Sequence, residues 1–254
     1  MDRDRVARAW AAIRERAGRE NAPVAVRHVC MACAQAVDAV GASVSLARGA
    51  EVSEPAFASG VGGDDLAELQ FTLGEGPCVD ALRGPGPVLV ADLASASSER
   101  RWPMFAPAAT GRGARAVFAF PLRVGTIRTG VLEVYRARPG LLSRDELADA
   151  LVYADAATLL VLGAGDGIVV DRPHLAGDGF DARRAVVHQA AGMISVQIGV
   201  GVEDALVRLR AHAYAEDRRL IEVAQDVVES RLRFSRDGRG NPTGDKSTGK
   251  EGEA

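Results

Sequence analysis

Lysine is almost absent from this sequence, because Lys246 and Lys250 are the only two among its 254 residues. Arginine supplies nearly all of the positive charge, and 34 acidic residues against 31 basic ones leave a formal net charge of -3. A chain with this balance has no global positive field that would attract a polyanion. Any contact with a nucleic acid must therefore come from a local arrangement of arginines.

Long hydrophobic runs and dense cysteines are also missing. No segment has about eighteen uninterrupted apolar residues, and the amino-terminal MDRDRVARAW lacks the apolar core of a secretory signal. We therefore expect a cytoplasmic protein that makes no contact with a membrane. The three cysteines, Cys30, Cys33 and Cys78, are too few for the disulfide framework of a small secreted domain, so reduced thiols are expected.

The rest of the composition is that of a globular protein, with 47% hydrophobic and 26% charged residues. A length of 254 residues favours two folded units over one large domain. At the amino terminus, Val6, Trp10, Ile13 and Ala17 follow one another at steps of three and four. This spacing predicts an amphipathic helix over residues 1–21, which could dock on the chain or form a dimer.

Residues 22–163 change period several times. The segments ARAVFAFPLRV and TGVLEVYRA predict two strands joined as a hairpin through Gly125 and Thr126, and PVLVADL predicts a buried strand. Ser143 and Glu146 have the spacing of a capping box at the start of a long apolar helix. A helix, neighbouring strands and a returning helix predict an α+β domain, with helices packed on an antiparallel sheet.

The remaining segments are simpler in composition. Residues 164–180 are rich in Gly and Asp and predict a linker. Residues 181–234 contain three apolar stripes at helical spacing and predict an all-α three-helix bundle. Residues 235–254 are polar and Gly-rich without an apolar anchor, so we expect a disordered tail.

Several residues are candidates for chemistry or ligand contact in the first domain. Cys30 and Cys33 could form a redox couple or half of a metal site, although two small residues packing a helix are the favoured interpretation. Cys78, in a Gly-Glu-Gly-Pro-Cys loop, is either a reactive thiol or part of the loop architecture. Trp102 and Phe105 could line a sensor pocket with Cys78, or they could belong to the core.

No catalytic arrangement emerges from the histidines, which lie far apart in the sequence and lack a triad-like context. They are His28, His174, His188 and His212. We therefore expect no enzyme, no metal site and no cofactor.

The carboxy-terminal helical segment resembles the ANTAR family of RNA-binding antiterminator domains. The resemblance rests on QAAGMIS at 189–195, on the Glu-Asp-Ala-Leu opening of the second helix, on LRAHAYAEDRRL at 209–220 and on the VA...VV pattern at 223–228. The family often carries Ala-Lys-Gly where this chain has Ala190, Ala191 and Gly192.

The region over 22–163 looks like a GAF domain, a sensor module that is often placed before ANTAR. The motifs that carry this likeness are LGEGPCVDAL at 73–82, VADL at 90–93, RWPMF at 101–105 and the strand pair FPLRVGTIRTGVLEVYR. GAF domains share a fold but differ in ligand. The resemblance therefore implies that a small-molecule or redox signal is sensed, without naming it.

Together the two resemblances imply a homodimeric regulator that binds RNA stem-loops and promotes transcription antitermination in response to a signal. Helical spacing places Arg184, His188, Ala191 and Ser195 on one polar face. The full set of expected RNA-contacting residues is Arg184, His188, Gln189, Ala191, Gly192, Arg208, Arg210, Tyr214, Arg218 and Arg219. Two other hypotheses stay open at this point: a thiol-dependent reductase built on the GAF-like fold, and a helical module that binds DNA.

Overall fold

The structure of the protein is a computed structural model that describes residues 2–48, 51–60, 63–163, 178–235 and 240–242. The chain forms two compact units, and the boundary between them lies between Phe180 and Asp181. The predicted linker over 164–180 falls mostly outside the described residues. Its last three residues are helical, so the prediction of a linker is wrong there.

The first unit is an antiparallel sheet covered by helices. Its elements are α1 (Arg3–Arg19), α2 (Val26–Ala36), β1 (Gly41–Arg48), β2 (Glu51–Gly60), α3 (Gly63–Leu73), α4 (Pro77–Arg83), β3 (Val88–Val90), α5 (Ala96–Arg101), α6 (Phe105–Gly111), β4 (Ala116–Val124), β5 (Ile127–Arg136) and α7 (Arg144–Gly163). The strand order is β2-β1-β5-β4-β3, and every neighbouring pair is antiparallel. The predicted α+β architecture of this region is confirmed.

The two faces of the sheet are buried against different helices, because successive side chains of a strand point to opposite faces. Phe118, Phe120 and Leu132 belong to the main core, which they share with α1, α2 and α7. The opposite face lies under α3 and α4, where Ala119 and Val131 pack against Cys78. This second face carries most of the buried polar side chains described below.

Helix α1 docks on its own chain. Within its apolar stripe, Ile13 and Ala17 are buried and Val6 and Trp10 are half-buried, and the helix packs against α2 and α7. Arg5 fixes its first turns to α7 through Asp145 at 2.8 Å and Asp149 at 2.5 Å. The predicted helix is therefore present, and its stripe is used inside the chain.

Local signals at the end of the sheet match the prediction. Gly125, with a φ of 59°, makes the turn between β4 and β5. The Ser143 amide donates to Glu146 at 2.7 Å, and the Glu146 amide donates to the Ser143 hydroxyl at 3.2 Å. This capping box begins α7, as the spacing predicted.

Arg136, at the end of β5, joins the sheet to two helices. Its side chain is buried, its Nε donates to the Val37 carbonyl at 3.0 Å, and its guanidinium forms an ion pair with Glu146. The sheet, the end of α2 and the first turn of α7 therefore meet at one side chain.

The strand predicted in PVLVADL is present but is only partly buried, with Val90 buried and Val88 half-buried. β3 has only three residues and pairs only with β4, at the edge of the sheet. Leu89, in the middle of β3, is 39% exposed. An edge strand has one neighbour instead of two, so its apolar composition does not ensure burial.

Three helices make up most of the second unit: α8 (Asp178–Ile198), which starts three residues before the boundary, α9 (Val202–Ala215) and α10 (Leu220–Val228). Each one buries an apolar stripe, and the fully inaccessible members include Ile194, Leu209 and Val223. Gly199, with a φ of 71°, lies at the break between α8 and α9. The helices predicted for this segment are therefore present.

A short hairpin follows these helices, so the prediction of an all-α unit with a disordered tail is wrong here. β6 (Leu232–Phe234) and β7 (Gly240–Pro242) are antiparallel. Leu232 and Phe234 are buried, the Phe234 amide donates to Gln197 at 2.9 Å, and the Phe234 ring meets the His212 ring edge-on at 5.3 Å. The rest of the predicted tail, 236–239 and 243–254, lies outside the described residues.

Within the described residues, no single helix has the length and apolar content needed to cross a membrane. The helical segments Ala185–Ile198 and Val202–Ala215 have the required length and apolar content only when they are counted together, and they are bent by 105° relative to each other.

Candidate functional site

A cluster of polar side chains is buried between the sheet and helices α3 and α4. Ser43 and Ser45 of β1 are paired in register with Glu133 and Val131 of β5, so their side chains lie on the same face. Ser43, Ser45 and Glu133 are all buried. A carboxyl group in such a place is costly unless it is hydrogen-bonded or protonated.

Gln70 of α3 connects this carboxyl group to α4. Its Nε2 donates to both Glu133 carboxyl oxygens, at 2.8 and 3.0 Å, and its Oε1 accepts from the Cys78 amide at 2.8 Å. Gly76 makes room for this arrangement, since a Cβ at its φ of 133° would lie 2.4 Å from the Gln70 Oε1. The result is a buried chain of hydrogen bonds from the sheet to the start of α4.

Burial dominates the electrostatics of this cluster. It raises the pKa of Glu133 to about 7, although the hydrogen bond from Gln70 opposes the shift. It also raises the pKa of the Cys78 thiol well above the usual range; the Glu133 charge adds to this shift and a hydrogen bond with Ser45 opposes it. Cys78 therefore stays a protonated thiol, although it lies in the first turn of a helix.

Two carboxylates hold the segment that contains α5 and α6. Asp80 of α4 accepts from the Arg101 Nε at 2.8 Å and from the Trp102 Nε1 at 3.2 Å. Glu75 accepts from the amides of Met104 and Phe105, at 2.7 and 2.8 Å, at the start of α6. The α3–α4 region is thus bonded both to the buried cluster and to the α5–α6 segment.

A surface cleft of about 310 Å³ lies between β3 and α5. It is lined by residues 89–92 and by Ser95, Ser97, Ser98, Arg101 and Trp102. The Arg101 guanidinium lies over the Trp102 ring, 4.7 Å from its centroid. Asp92, on the strand side, forms an ion pair with Arg115 at 3.2 Å.

The three predicted sensor residues do not all line this cleft. Trp102 lines the cleft, Phe105 is fully buried with its amide bonded to Glu75, and Cys78 packs in the second core with Ala119. Of the three residues, Trp102 alone is in the lining of this cleft, and the pocket of Cys78, Trp102 and Phe105 stays a prediction. The core interpretation of Trp102 and Phe105 fits their burial, since Trp102 is 2% exposed and Phe105 is fully inaccessible, and Cys78 is buried as well.

Glu133 and Gln70 were missed by the sequence interpretation. A signal for Glu133 was available, because it is the one charged residue inside the apolar run of GVLEVY. A charge in the middle of a buried strand is informative in itself, since buried charges are rare without a partner.

The Cys30 and Cys33 thiols are fully buried in the main core. Burial raises the pKa of both, with a contribution from Asp149 at Cys33. The packing interpretation therefore fits this pair better than a redox couple, because thiolate formation is disfavoured. Within the described residues, no group of three His, Cys, Asp or Glu side chains is placed to hold a metal ion.

The exposed face of α8 carries His188, Gln189 and Val196, with Gly192 partly exposed between them. Apart from the backbone of α8 itself, no atom of the described residues lies within 4 Å of the place where a Gly192 Cβ would be, so the helix surface there is open. The prediction that Ala191 belongs to a polar face is wrong, because Ala191 is fully buried.

The other two residues of the predicted polar face are Ser195 and Arg184. Ser195 is half-buried, and its hydroxyl donates to the Val200 carbonyl at 2.6 Å. Arg184 is part of α8, but its side chain lies outside the described residues.

The other predicted RNA-contacting residues differ in exposure. Arg208, Arg210 and Tyr214 of α9 are half-buried, whereas Arg218 and Arg219, between α9 and α10, are exposed. Arg218 forms an ion pair with Asp226 at 2.7 Å. Asp226 also accepts from Arg231 at 2.7 Å, and these two partners lower its pKa against the effect of burial.

Comparisons with known proteins found similar structures but no matching sequence family. No family model matches the chain, and no curated protein matches it. It is similar to the GAF3 domain of a Synechocystis protein in its photoproduct state, with 17% identity over 55% of this chain and 92% of that chain and a TM-score of 0.45.

Two further solved structures are similar at the same level. One is the GAF domain of an Acinetobacter phosphoenolpyruvate-protein phosphotransferase, with 14% identity over 64% of this chain and 94% of that chain and a TM-score of 0.45. The other is a GAF domain/HD domain protein from Geobacter sulfurreducens, with 17% identity, 55% and 91% coverage and a TM-score of 0.44. Likeness at this level does not bear on activity, so the function has to be argued from the residues.

Proposed function

We propose that this protein is a signal-responsive RNA-binding regulator. Its first unit is a GAF-like sensor, and its second unit is an ANTAR-like module that binds RNA stem-loops and acts as a transcription antiterminator. No chemical step is part of this role.

The observation that carries the proposal is the solvent face of α8. His188, Gln189 and Gly192 are turned away from the buried stripe, and they belong to the segment whose sequence resembles ANTAR domains. An open backbone at Gly192 lets a ligand approach the helix closely. Polar side chains beside it can donate to phosphates or to the exposed edges of loop bases.

Arginines of the same unit provide the local positive groups that the net charge of the chain does not. Arg219 is exposed beside Arg218, and Arg208 is half-buried without a hydrogen bond or ion pair within the described residues. A guanidinium suits phosphate oxygens and guanine edges because its donors form a planar fork.

For the sensor unit, the burial of the thiols favours a small-molecule signal over a redox one. Cys30, Cys33 and Cys78 are buried, and burial raises the pKa of each of them. Neither an oxidant nor a substrate reaches such thiols easily, and they are poor nucleophiles. The same facts count against the thiol-dependent reductase.

Dimerisation belongs to the proposal, since two helical units could hold a pair of stem-loops. Deleting residues 1–20 is not a clean test of it, because the deletion would remove Ile13 from the core. The mass of the full chain in solution, measured with and without RNA, tests it directly. A monomer in both conditions would contradict this part of the proposal.

The RNA-binding role is tested by titrating the full chain into a labelled RNA with two stem-loops, at several salt concentrations. We expect tighter binding to this RNA than to a scrambled RNA that cannot fold, and tighter binding than to duplex DNA. Preference for the duplex would support the DNA-binding alternative instead. Equal binding to folded and scrambled RNA would refute the proposal.

A pair of variants localises the RNA-binding surface. Arg208→Glu should weaken binding and reduce the slope of log K against log salt by about 0.7 to 0.9, because one phosphate fewer is neutralised. Arg14→Glu, at an exposed position of α1, should leave both unchanged. Transcription through a terminator that overlaps the stem-loops should show more readthrough with the wild-type chain than with Arg208→Glu.

A further inference from the structure

The cleft between β3 and α5 holds an arginine whose orientation is already fixed. The Arg101 Nε donates to Asp80 at 2.8 Å, and the guanidinium lies 4.7 Å from the Trp102 ring centroid. These contacts leave its two terminal nitrogens without a partner among the described residues. The side chain is 55% exposed, so a ligand can reach them. A guanidinium held in this way can bind a carboxylate with two parallel hydrogen bonds and little loss of rotamer freedom.

The rest of the cleft provides hydroxyl groups and an apolar wall. Ser95, Ser97 and Ser98 also line the cleft; their hydroxyls are hydrogen-bonded to one another, and Ser98 donates to the Asp92 carbonyl at 2.9 Å. Leu89 of the edge strand also lines the cleft and is 39% exposed. A volume of about 310 Å³ is at the lower end of the range for small-molecule sites, roughly 300 to 1,000 Å³.

Asp92, the acidic residue in the lining, already has hydrogen-bond partners within the protein. The Asp92 Oδ1 accepts from the Ala94 amide at 3.0 Å and from the Arg115 guanidinium at 3.2 Å. Its charge is therefore balanced within the protein, and the donors not yet used in the cleft belong to Arg101. The Arg101 charge is itself paired with Asp80, so a carboxylate is favoured by the two terminal nitrogens that no described residue uses, and not by an excess of positive charge.

We propose that this cleft binds a small organic carboxylate, with the carboxylate on Arg101 and the apolar body against Leu89. The inference deepens the sensory role and rests on it for its biological meaning. An occupant would contact Arg101, which is hydrogen-bonded together with Trp102 to Asp80 of α4. Binding would therefore perturb the helix that adjoins the buried cluster.

Benzoate is the probe, and Trp102 is the reporter. The chain has two tryptophans, Trp10 and Trp102, so a Trp10→Phe background leaves Trp102 as the only one. Benzoate should change its fluorescence saturably in the full chain, whereas the neutral benzamide and the cationic benzylamine should produce no saturable change. No saturable change with benzoate, or an equal response to benzamide or benzylamine, would overturn the proposal.

Two pairs of variants identify the site, and the fold of each is checked by circular dichroism. Arg101→Gln should weaken benzoate binding about tenfold or more, because glutamine cannot form the charge-assisted bidentate pair. The neighbouring Arg100→Gln should change it less than about twofold, since Arg100 is exposed and does not line the cleft.

Leu89→Glu and Leu89→Lys keep the test decisive should Arg101→Gln fail to fold. The introduced carboxylate should repel benzoate and the introduced ammonium should not. Unchanged affinity in a folded Arg101→Gln, or equal affinity of the two Leu89 variants, would overturn the assignment. None of these measurements requires RNA, so a failure of the carboxylate site is distinguishable from a failure of the RNA-binding role.

Discussion

Glu133 allows a sharp test of the electrostatics of the first unit. Burial raises its pKa from the usual 4.5 to about 7. Between these two values the folded chain keeps a proton on Glu133 that the unfolded chain has released. The free energy of unfolding should therefore fall as the pH rises from about 4.5 to 7, and it should level off above that.

The size of the effect follows from the shift. The difference between 7 and 4.5 is about 2.5 pH units, and each unit corresponds to about 1.4 kcal/mol. Glu133 is only 2% exposed, so solvent screening does not reduce the effect much. The wild-type chain should lose about 3 kcal/mol between pH 4.5 and 8 through this group alone.

The assay compares the wild type with Glu133→Gln. The amide has nearly the same shape, can still accept from Gln70 and does not titrate. Both tryptophans, Trp10 and Trp102, lie in the first unit, so fluorescence in urea series at pH 5, 6, 7 and 8 reports on that unit. Contributions from all other titrating groups cancel between the two proteins.

The expected result is a pH-dependent gap between the two proteins. Glu133→Gln should gain about 2.5 kcal/mol relative to the wild type between pH 5 and pH 8. Parallel pH profiles would refute the reasoning, because they would mean that Glu133 ionises as easily in the folded chain as in the unfolded one. A gap of the opposite sign would mean that the ionised form is the one stabilised by folding.

Three further predictions concern the connections between elements. Arg136→Met should lower the stability of the first unit by about 2 kcal/mol in the same urea assay, since the Val37 carbonyl loses its buried donor and the partly exposed Glu146 loses its ion-pair partner; unchanged stability would count against it. Phe234→Ala should cost about 3 kcal/mol in the second unit and speed amide exchange in β6, measured by mass spectrometry; unaltered exchange would contradict the anchoring. Alkylation of Cys30, Cys33 and Cys78 should be slow in the native chain and fast in urea, and rapid native modification would show that the thiols are not buried.

Features with a local cause could be predicted from the sequence. The β4–β5 hairpin follows from Gly125 between two apolar strands, and the start of α7 follows from the spacing of Ser143 and Glu146. Both depend on residues within a few positions of each other. The apolar stripes of α8, α9 and α10 are equally local, since they repeat every turn of the helix.

Features that depend on distant partners could not be predicted. The edge position of Leu89 follows from the strand order, which the composition of β3 does not contain. Glu133 is visible as a charge in an apolar strand, but Gln70 is 63 residues away along the chain. The pairing of these two residues exists only once α3 lies over the sheet.

Ala191 shows a limit of helical spacing. The buried arc of α8 includes both Ala190 and Ala191, since an apolar stripe facing a core is about 100° wide. Alanine occurs on either side of such a boundary, so its small side chain does not mark the edge of the stripe. The residues that do mark the open side are His188 and Gln189.

The hairpin of β6 and β7 bears on where the second unit can be cut. Leu232 pairs with Pro242 and Phe234 pairs with Gly240, so a fragment that stops after Phe234 keeps one strand and loses the other. The backbone amides and carbonyls of β6 would then be left as an unpaired edge, which invites association with other copies. A shortened form used for RNA titrations or crystallisation should therefore extend through Pro242, because any apparent dimer of a shorter one could arise from the truncation.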